Sequence, residues 1–184
     1  MVLPGHLAGG YLAARGLLAV FHPALPPIEI DSLLIIGTLA GELPDIDLIR
    51  LYFDYKLERP NRVNNHRVYV THAPLFWLVI SLLIVAGGYL AGSLFTEWIG
   101  WLVLAGSWSH LLLDSIEDGV MWLWPYSKKC FAMKKGLSCE AITAKPGTPS
   151  YHFQYINKVY WKTVTFWVEI IITLAAAYLL FASL

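Results

Sequence analysis

The sequence predicts an all-α fold: an integral membrane helical bundle of about five hydrophobic segments, with its polar residues collected at one membrane face. Three observations predict it. Hydrophobic residues make up 57% of the chain and charged residues only 14%, with a mean hydropathy of +0.57; an ordinary soluble domain carries about a quarter charged residues. The apolar surplus is gathered into blocks. The cations avoid one alternate set of the loops between those blocks. At 184 residues the chain reads as a single domain, 1–184.

Segment 1, Leu7–Phe21, follows the turn signal Pro4-Gly5. The N-terminus has no basic n-region, and Arg15 interrupts the apolar run, so the segment is expected to be retained rather than cleaved as a signal peptide. The prolines of Phe21–Pro27 turn the chain. Segment 2, Ser32–Leu43, is expected to end before Pro44, since proline disfavours helix in the preceding residue. Residues 48–70 read as a polar, basic and aromatic loop. Segment 3 starts near Pro74, a residue suited to a first helical turn, and its sixteen residues Leu75–Leu90 carry no charge. Gly87-Gly88 and Gly92-Ser93 mark its end. Segment 4 runs from Trp98 to about Ile116, with Gly100, Ala105, Gly106, Ser107 and Ser109 available for close helix contact in lipid. Residues 117–160 are expected not to span: Trp122, Trp124 and Tyr126 suit an interface, Lys128–Lys135 is a basic patch, and Pro146–Pro149 reads as a loop. Segment 5 is Trp161–Leu184, with Lys162 near its start and Glu169 within it. A sixteen-residue helix is roughly 24 Å long, short of a ~30 Å hydrocarbon core, and flanking Trp and Tyr complete the span.

Alternating the five segments puts residues 1–6, 44–73 and 115–160 on one side. Of the thirteen Lys and Arg, eleven fall in those loops, Lys162 lies at their edge, and Arg15 is inside segment 1. The opposite loops hold none. The positive-inside rule then places this side in the cytoplasm of a cell inner or plasma membrane. Cys130 and Cys139, spaced C-x8-C, match no common zinc pattern and are expected to be reduced loop residues.

The same side collects the residues able to do chemistry. His6 opens segment 1, Asp45 and Asp47 close segment 2, His66 and His72 precede segment 3, and His110 and Asp114 end segment 4. His110 and Asp114 stand at i and i+4, one turn apart on one helix face. Taken alone, such a pair also reads as a buried hydrogen bond, and Asp45-Ile46-Asp47 as a solvated turn. Together, three carboxylates gathered beside hydrocarbon repel one another unless a cation neutralises them. Mixed imidazole and carboxylate donors suit Zn²⁺, with Mn²⁺ or Fe²⁺ as alternatives, and one to two ions are expected. The expected metal ligands are therefore His6, Asp45, Asp47, His66, His72, His110 and Asp114; which of Asp45 and Asp47, and which of His66 and His72, ligate is left open. His152 is a further, weaker candidate.

The strings Leu43-Pro44-Asp45-Ile46-Asp47, His66-Arg67, Thr71-His72-Ala73 and Ser109–Asp114, with His6 ahead of them, resemble the motifs of the YdjM-type membrane-bound metal-dependent hydrolases over roughly residues 1–125. That family is distantly similar to zinc-dependent phospholipase C and P1-type nucleases. The resemblance implies a metal-dependent hydrolase whose ligands correspond to His6, Asp45 or Asp47, His66 or His72, and His110 with Asp114. The later His/Glu motif of the soluble enzymes has no counterpart here, which favours two metals over three.

The expected activity is hydrolysis of a phosphoester in a lipid or lipid-linked substrate. Arg67 is expected to bind phosphate, with Arg62 second. Glu42, or whichever of Asp45 and Asp47 does not ligate, is expected to act as general base. The basic patch is expected to attract anionic headgroups. A metal-dependent lipid amidase or esterase is the alternative, and a non-enzymatic membrane metal-binding regulator the third reading. No nucleic-acid partner is favoured.

Overall fold

A computed structural model of the chain describes residues 3–49, 67, 69–134 and 149–182. Within these the fold is all-helical. The helices are α1 (Leu3–Phe21), α2 (Pro27–Ala40), α3 (Pro74–Ala91), α4 (Leu94–Asp114), α5 (Pro149–Lys158) and α6 (Val164–Phe181). Short 3-10 turns occupy Leu43–Ile46, Val70–His72 and Tyr160–Lys162. The expected sites Arg62, His66, Lys135 and Cys139 lie outside the described residues, as does the side chain of His152.

Helix starts follow local chemistry. Pro27 and Pro74 stand in the first turns of α2 and α3, where a missing N–H costs nothing. Ser93 and Thr163 cap α4 and α6 by accepting from the backbone N–H of Thr96 and Phe166. Gly92 ends α3 in a left-handed conformation (φ +64°), and its N–H bonds back to the last turn. Several boundaries differ from the sequence expectation, among them the start of α4 at Leu94 rather than Trp98. α1 begins at Leu3, since Pro4 is tolerated in a first turn. α2 begins at Pro27 and stops at Ala40, so Leu43–Ile46 is a separate 3-10 turn. Pro149 opens a helix, α5, instead of closing a loop.

α3 and α6 are long and apolar enough to cross a membrane. Their Leu82, Leu83, Leu90, Ile171 and Leu174 are exposed on the outside of the bundle, as lipid-facing side chains would be. α2, with fourteen residues, reaches only about 21 Å. α1, α2 and α4 pack on one another, α3 packs on α4, and α6 on α1. Trp77, Val103 and Leu111 fill one core layer between α3 and α4. Ala14, Leu18, Leu33 and Leu102 fill another among α1, α2 and α4.

Glu169, in the apolar α6, is buried. Its Oε1 accepts from the Gly5 backbone N–H at 3.0 Å, and Oε2 accepts from the Tyr160 hydroxyl. An open helix end and a carboxylate, both costly in an apolar setting, thereby satisfy each other. The bond also fixes the first turn of α1, the turn that carries His6.

The approach of α2 to α4 depends on Gly106. A Cβ there would stand 2.5 Å from the Gly37 carbonyl oxygen and 2.7 Å from Ala40 Cβ. A Gly106→Ala variant is expected to lose about 1–3 kcal/mol through overpacking. Gly16→Ala, in open space on α1, is expected to gain up to about 1 kcal/mol from helix propensity. Denaturant unfolding of both variants in detergent checks this; equal effects would remove Gly106 as the contact that sets the α2–α4 distance.

Candidate metal centre

The antiparallel run of α1 to α4 carries the N-terminus of α1, the C-terminus of α2, the N-terminus of α3 and the C-terminus of α4 to one end of the bundle. His6, Asp45, His72, His110 and Asp114 meet there. His6, His72, His110 and Asp114 are fully buried and Asp45 is partly exposed.

Two histidines are held with one nitrogen outward. His72 Nδ1 lies 2.8 Å from Asp47 Oδ2, and His110 Nδ1 lies 2.7 Å from the Gly41 carbonyl oxygen. Both partners are acceptors, so each Nδ1 carries a proton and donates it, leaving Nε2 as the ligand atom of the neutral ring. Both Nε2 atoms face the same two carboxylates. His72 Nε2 is 3.4 Å from Asp45 Oδ1 and 3.8 Å from Asp114 Oδ2. His110 Nε2 is 3.5 Å and 3.7 Å from the same two oxygens. Ligand atoms about 2.1 Å from a tetrahedral zinc are about 3.4 Å apart, so the separations among Asp45, His72 and His110 suit one ion, while Asp114 Oδ2 stands farther from both nitrogens and accepts from Arg67.

His6 adds a second, overlapping group. Its ring stacks on His110 with centroids 3.6 Å apart, and Nε2 lies 3.4 Å from the other Asp114 oxygen, Oδ1. His6, His110 and Asp114 form one possible metal-holding triad, and Asp45, His72 and His110 another. Among the described residues, neither ring nitrogen of His6 has a hydrogen-bond partner, nor does His110 Nε2. Buried polar atoms without partners are costly, and a divalent ion would satisfy them. The donor set therefore fits a metal: two to three imidazoles with two carboxylates, the composition expected for zinc, manganese or iron.

Asp47 stands elsewhere than the sequence alone suggested. It lies behind His72, accepting from both the ring and the Thr71 hydroxyl, as an orienting carboxylate does. Thr71 is in turn held by the Trp77 indole, which donates to its carbonyl at 2.6 Å.

Arg67 is turned toward the cluster. Its Nε donates to Asp114 Oδ2 at 2.7 Å, and one terminal nitrogen reaches Asp118 Oδ2 at 3.2 Å. Burial alone would lower its pKa, but the carboxylates of Asp114 and Asp118 outweigh that and raise it. His72 follows the same pattern: burial lowers, while Asp45 and Asp47 raise it above the ordinary value. Glu42, in the turn after α2, behaves oppositely. Burial first, then the charge of Asp45, push its carboxyl up to about 7.

Sequence reasoning missed the Gly41 carbonyl, Asp118 and the supporting role of Thr71. Asp118 follows Asp114 by four residues, a spacing that would have flagged it as a second acceptor for Arg67. A backbone carbonyl such as that of Gly41 leaves no signal in sequence.

The sequence matches the YdjM inner membrane protein family over residues 1–184. Inner membrane protein YbcI of Escherichia coli (strain K12) is 37% identical over 112 residues, covering 58% of this chain and 59% of the relative. The chain thus matches about three fifths of that relative's length. No solved structure matches.

Proposed function

The chain belongs to the YdjM inner membrane protein family, and we propose, from the chemistry of its His/Asp cluster, that it is a metal-dependent hydrolase of the membrane. It cleaves a phosphoester in a lipid or lipid-linked substrate, with the site facing the cytoplasm. One observation carries the reading: His72 and His110 each have Nδ1 tied to an acceptor and Nε2 turned onto Asp45 and Asp114. A hydrogen-bonded core pair needs no such arrangement; a metal site does.

Asp45, His72 and His110 would hold one ion, and His6 with Asp114 would extend the site toward another. A divalent ion bound there would supply Lewis acidity toward phosphate and water. The remaining work falls to this chain's own residues. Glu42, its carboxyl near neutrality and its Oε1 without a hydrogen-bond partner among the described residues, takes up and returns a proton at physiological pH. Arg67 fixes Asp114 and places a permanent positive charge beside the cluster, where negative charge develops on a phosphoester. The cation-rich loops give the cytoplasmic orientation.

The protein purified from membranes is expected to carry one to two divalent ions. It should turn over phospholipids or lipid phosphates in a reaction stopped by a chelator and restored by zinc. Turnover confined to N-acyl lipids would make it an amidase. Absence of metal-dependent turnover on all three classes would overturn the enzymatic reading.

A further inference from the structure

Beside the cluster, behind His72, lies a cleft of about 470 Å³. The hydrogen-bonded pair Asp47 and Thr71 contributes to its lining. Ile46, Val70, Tyr69, Trp124 and Lys128 complete the lining. The walls are thus apolar and aromatic, with one added cation. Lys128 is exposed and forms no ion pair among the described residues.

The surroundings say where an occupant comes from. Ile46, Leu48, Ile49, Val70, Leu123, Phe131 and Met133 are exposed on the segments between the long helices, near Lys128 and Lys129. Apolar side chains of that size are unfavourable on a watery surface. Aromatics and lysines side by side suit the headgroup layer of a bilayer. The mouth of the cleft then opens among phospholipid headgroups.

We propose that this cleft binds the headgroup of an anionic phospholipid, with Lys128 as counter-charge to its phosphate. That the bound lipid is also the substrate rests on the hydrolase reading; the binding itself does not. Lys128 suits this role better than Arg67, whose fork is turned to Asp114 and Asp118.

The test titrates the full-length protein in detergent with phosphatidylglycerol and with phosphatidylcholine, reading retained lipid by native mass spectrometry. Phosphatidylglycerol is expected to bind at least about five-fold tighter, corresponding to about 1 kcal/mol. Lys128→Gln should erase the preference, Lys128→Arg should keep it, and Lys129→Gln, outside the cleft, should leave it unchanged. Equal retention of the two lipids, or an unaltered preference in Lys128→Gln, would overturn the proposal. So would displacement of the lipid by glycerol phosphate at matched concentration, which would make the occupant a soluble phosphate ester. Preference retained by chelator-treated protein that hydrolyses nothing would support the lipid site and sink the hydrolase. Metal-dependent phospholipid hydrolysis with the same KM in wild type and Lys128→Gln would do the reverse.

Discussion

Replacing His110 is expected to strip the protein of metal. His110 belongs to both overlapping triads, so its loss removes a donor from each. His110→Gln is the sharper variant, because its amide can still donate to the Gly41 carbonyl while offering no imidazole. Elemental analysis after dialysis should find both His110→Ala and His110→Gln nearly empty. Asp47→Asn gives the calibration. It weakens the acceptor behind His72 without removing a ligand, and such changes cost about 10–100-fold in affinity. Asp47→Asn should therefore still load at saturating zinc, which a chelator competition titration would read. Retention should also weaken as pH falls: Asp45 and Asp47 raise the His72 pKa despite its burial, and a metal must displace that ring's proton. Full metal content in His110→Gln would remove His110 from the ligand set.

Replacing Arg67 is expected to spare metal and abolish most turnover. Arg67→Ala takes the counter-charge from buried Asp114, and a buried carboxylate stripped of its partner costs about 3–5 kcal/mol. The ligand itself remains and becomes more basic, so metal content should hold. Turnover should fall about 10²–10³-fold, the scale of losing one preorganised donor beside developing charge. Arg67→Lys should recover only part. Its single ammonium cannot reproduce the planar fork that reaches both Asp114 and Asp118. The split between kcat and KM separates two roles: a pure KM effect indicates ground-state binding, whereas a kcat loss indicates stabilisation specific to the transition state. Wild-type turnover in Arg67→Ala would sink its assignment.

Much of the helical frame is legible in the amino-acid sequence. Pro74 marks the start of α3, Gly92 its end, and the i, i+4 pair His110 and Asp114 the last turn of α4. Those signals are local, depending on proline's fixed φ, glycine's tolerance of positive φ and the 3.6-residue turn. The helix Pro149–Lys158 is hidden in the sequence because its first residue sits in a string of turn formers. The gathering of His6, Asp45, His72, His110 and Asp114 is also foreshadowed, since alternating helices return the chain to the same end.

Hydrophobic blocks and charge segregation thus determine, from sequence alone, an all-α membrane protein with His6, Asp45, His72, His110 and Asp114 at one end. The assignment of each donor belongs to the tertiary structure. Asp45 and Asp47 are chemically identical and two residues apart. Yet the 3-10 turn at Leu43–Ile46 sends Asp45 toward the Nε2 atoms and leaves Asp47 to brace His72. His110 is oriented by a backbone carbonyl 69 residues away, and Arg67 by a carboxylate 47 residues away. Sequence periodicity specifies which face a side chain occupies. Which oxygen meets which nitrogen at 3–4 Å is decided by how closely α1, α2 and α4 pack, and therefore by contacts such as Gly106 against Gly37, which exist only once the chain has folded.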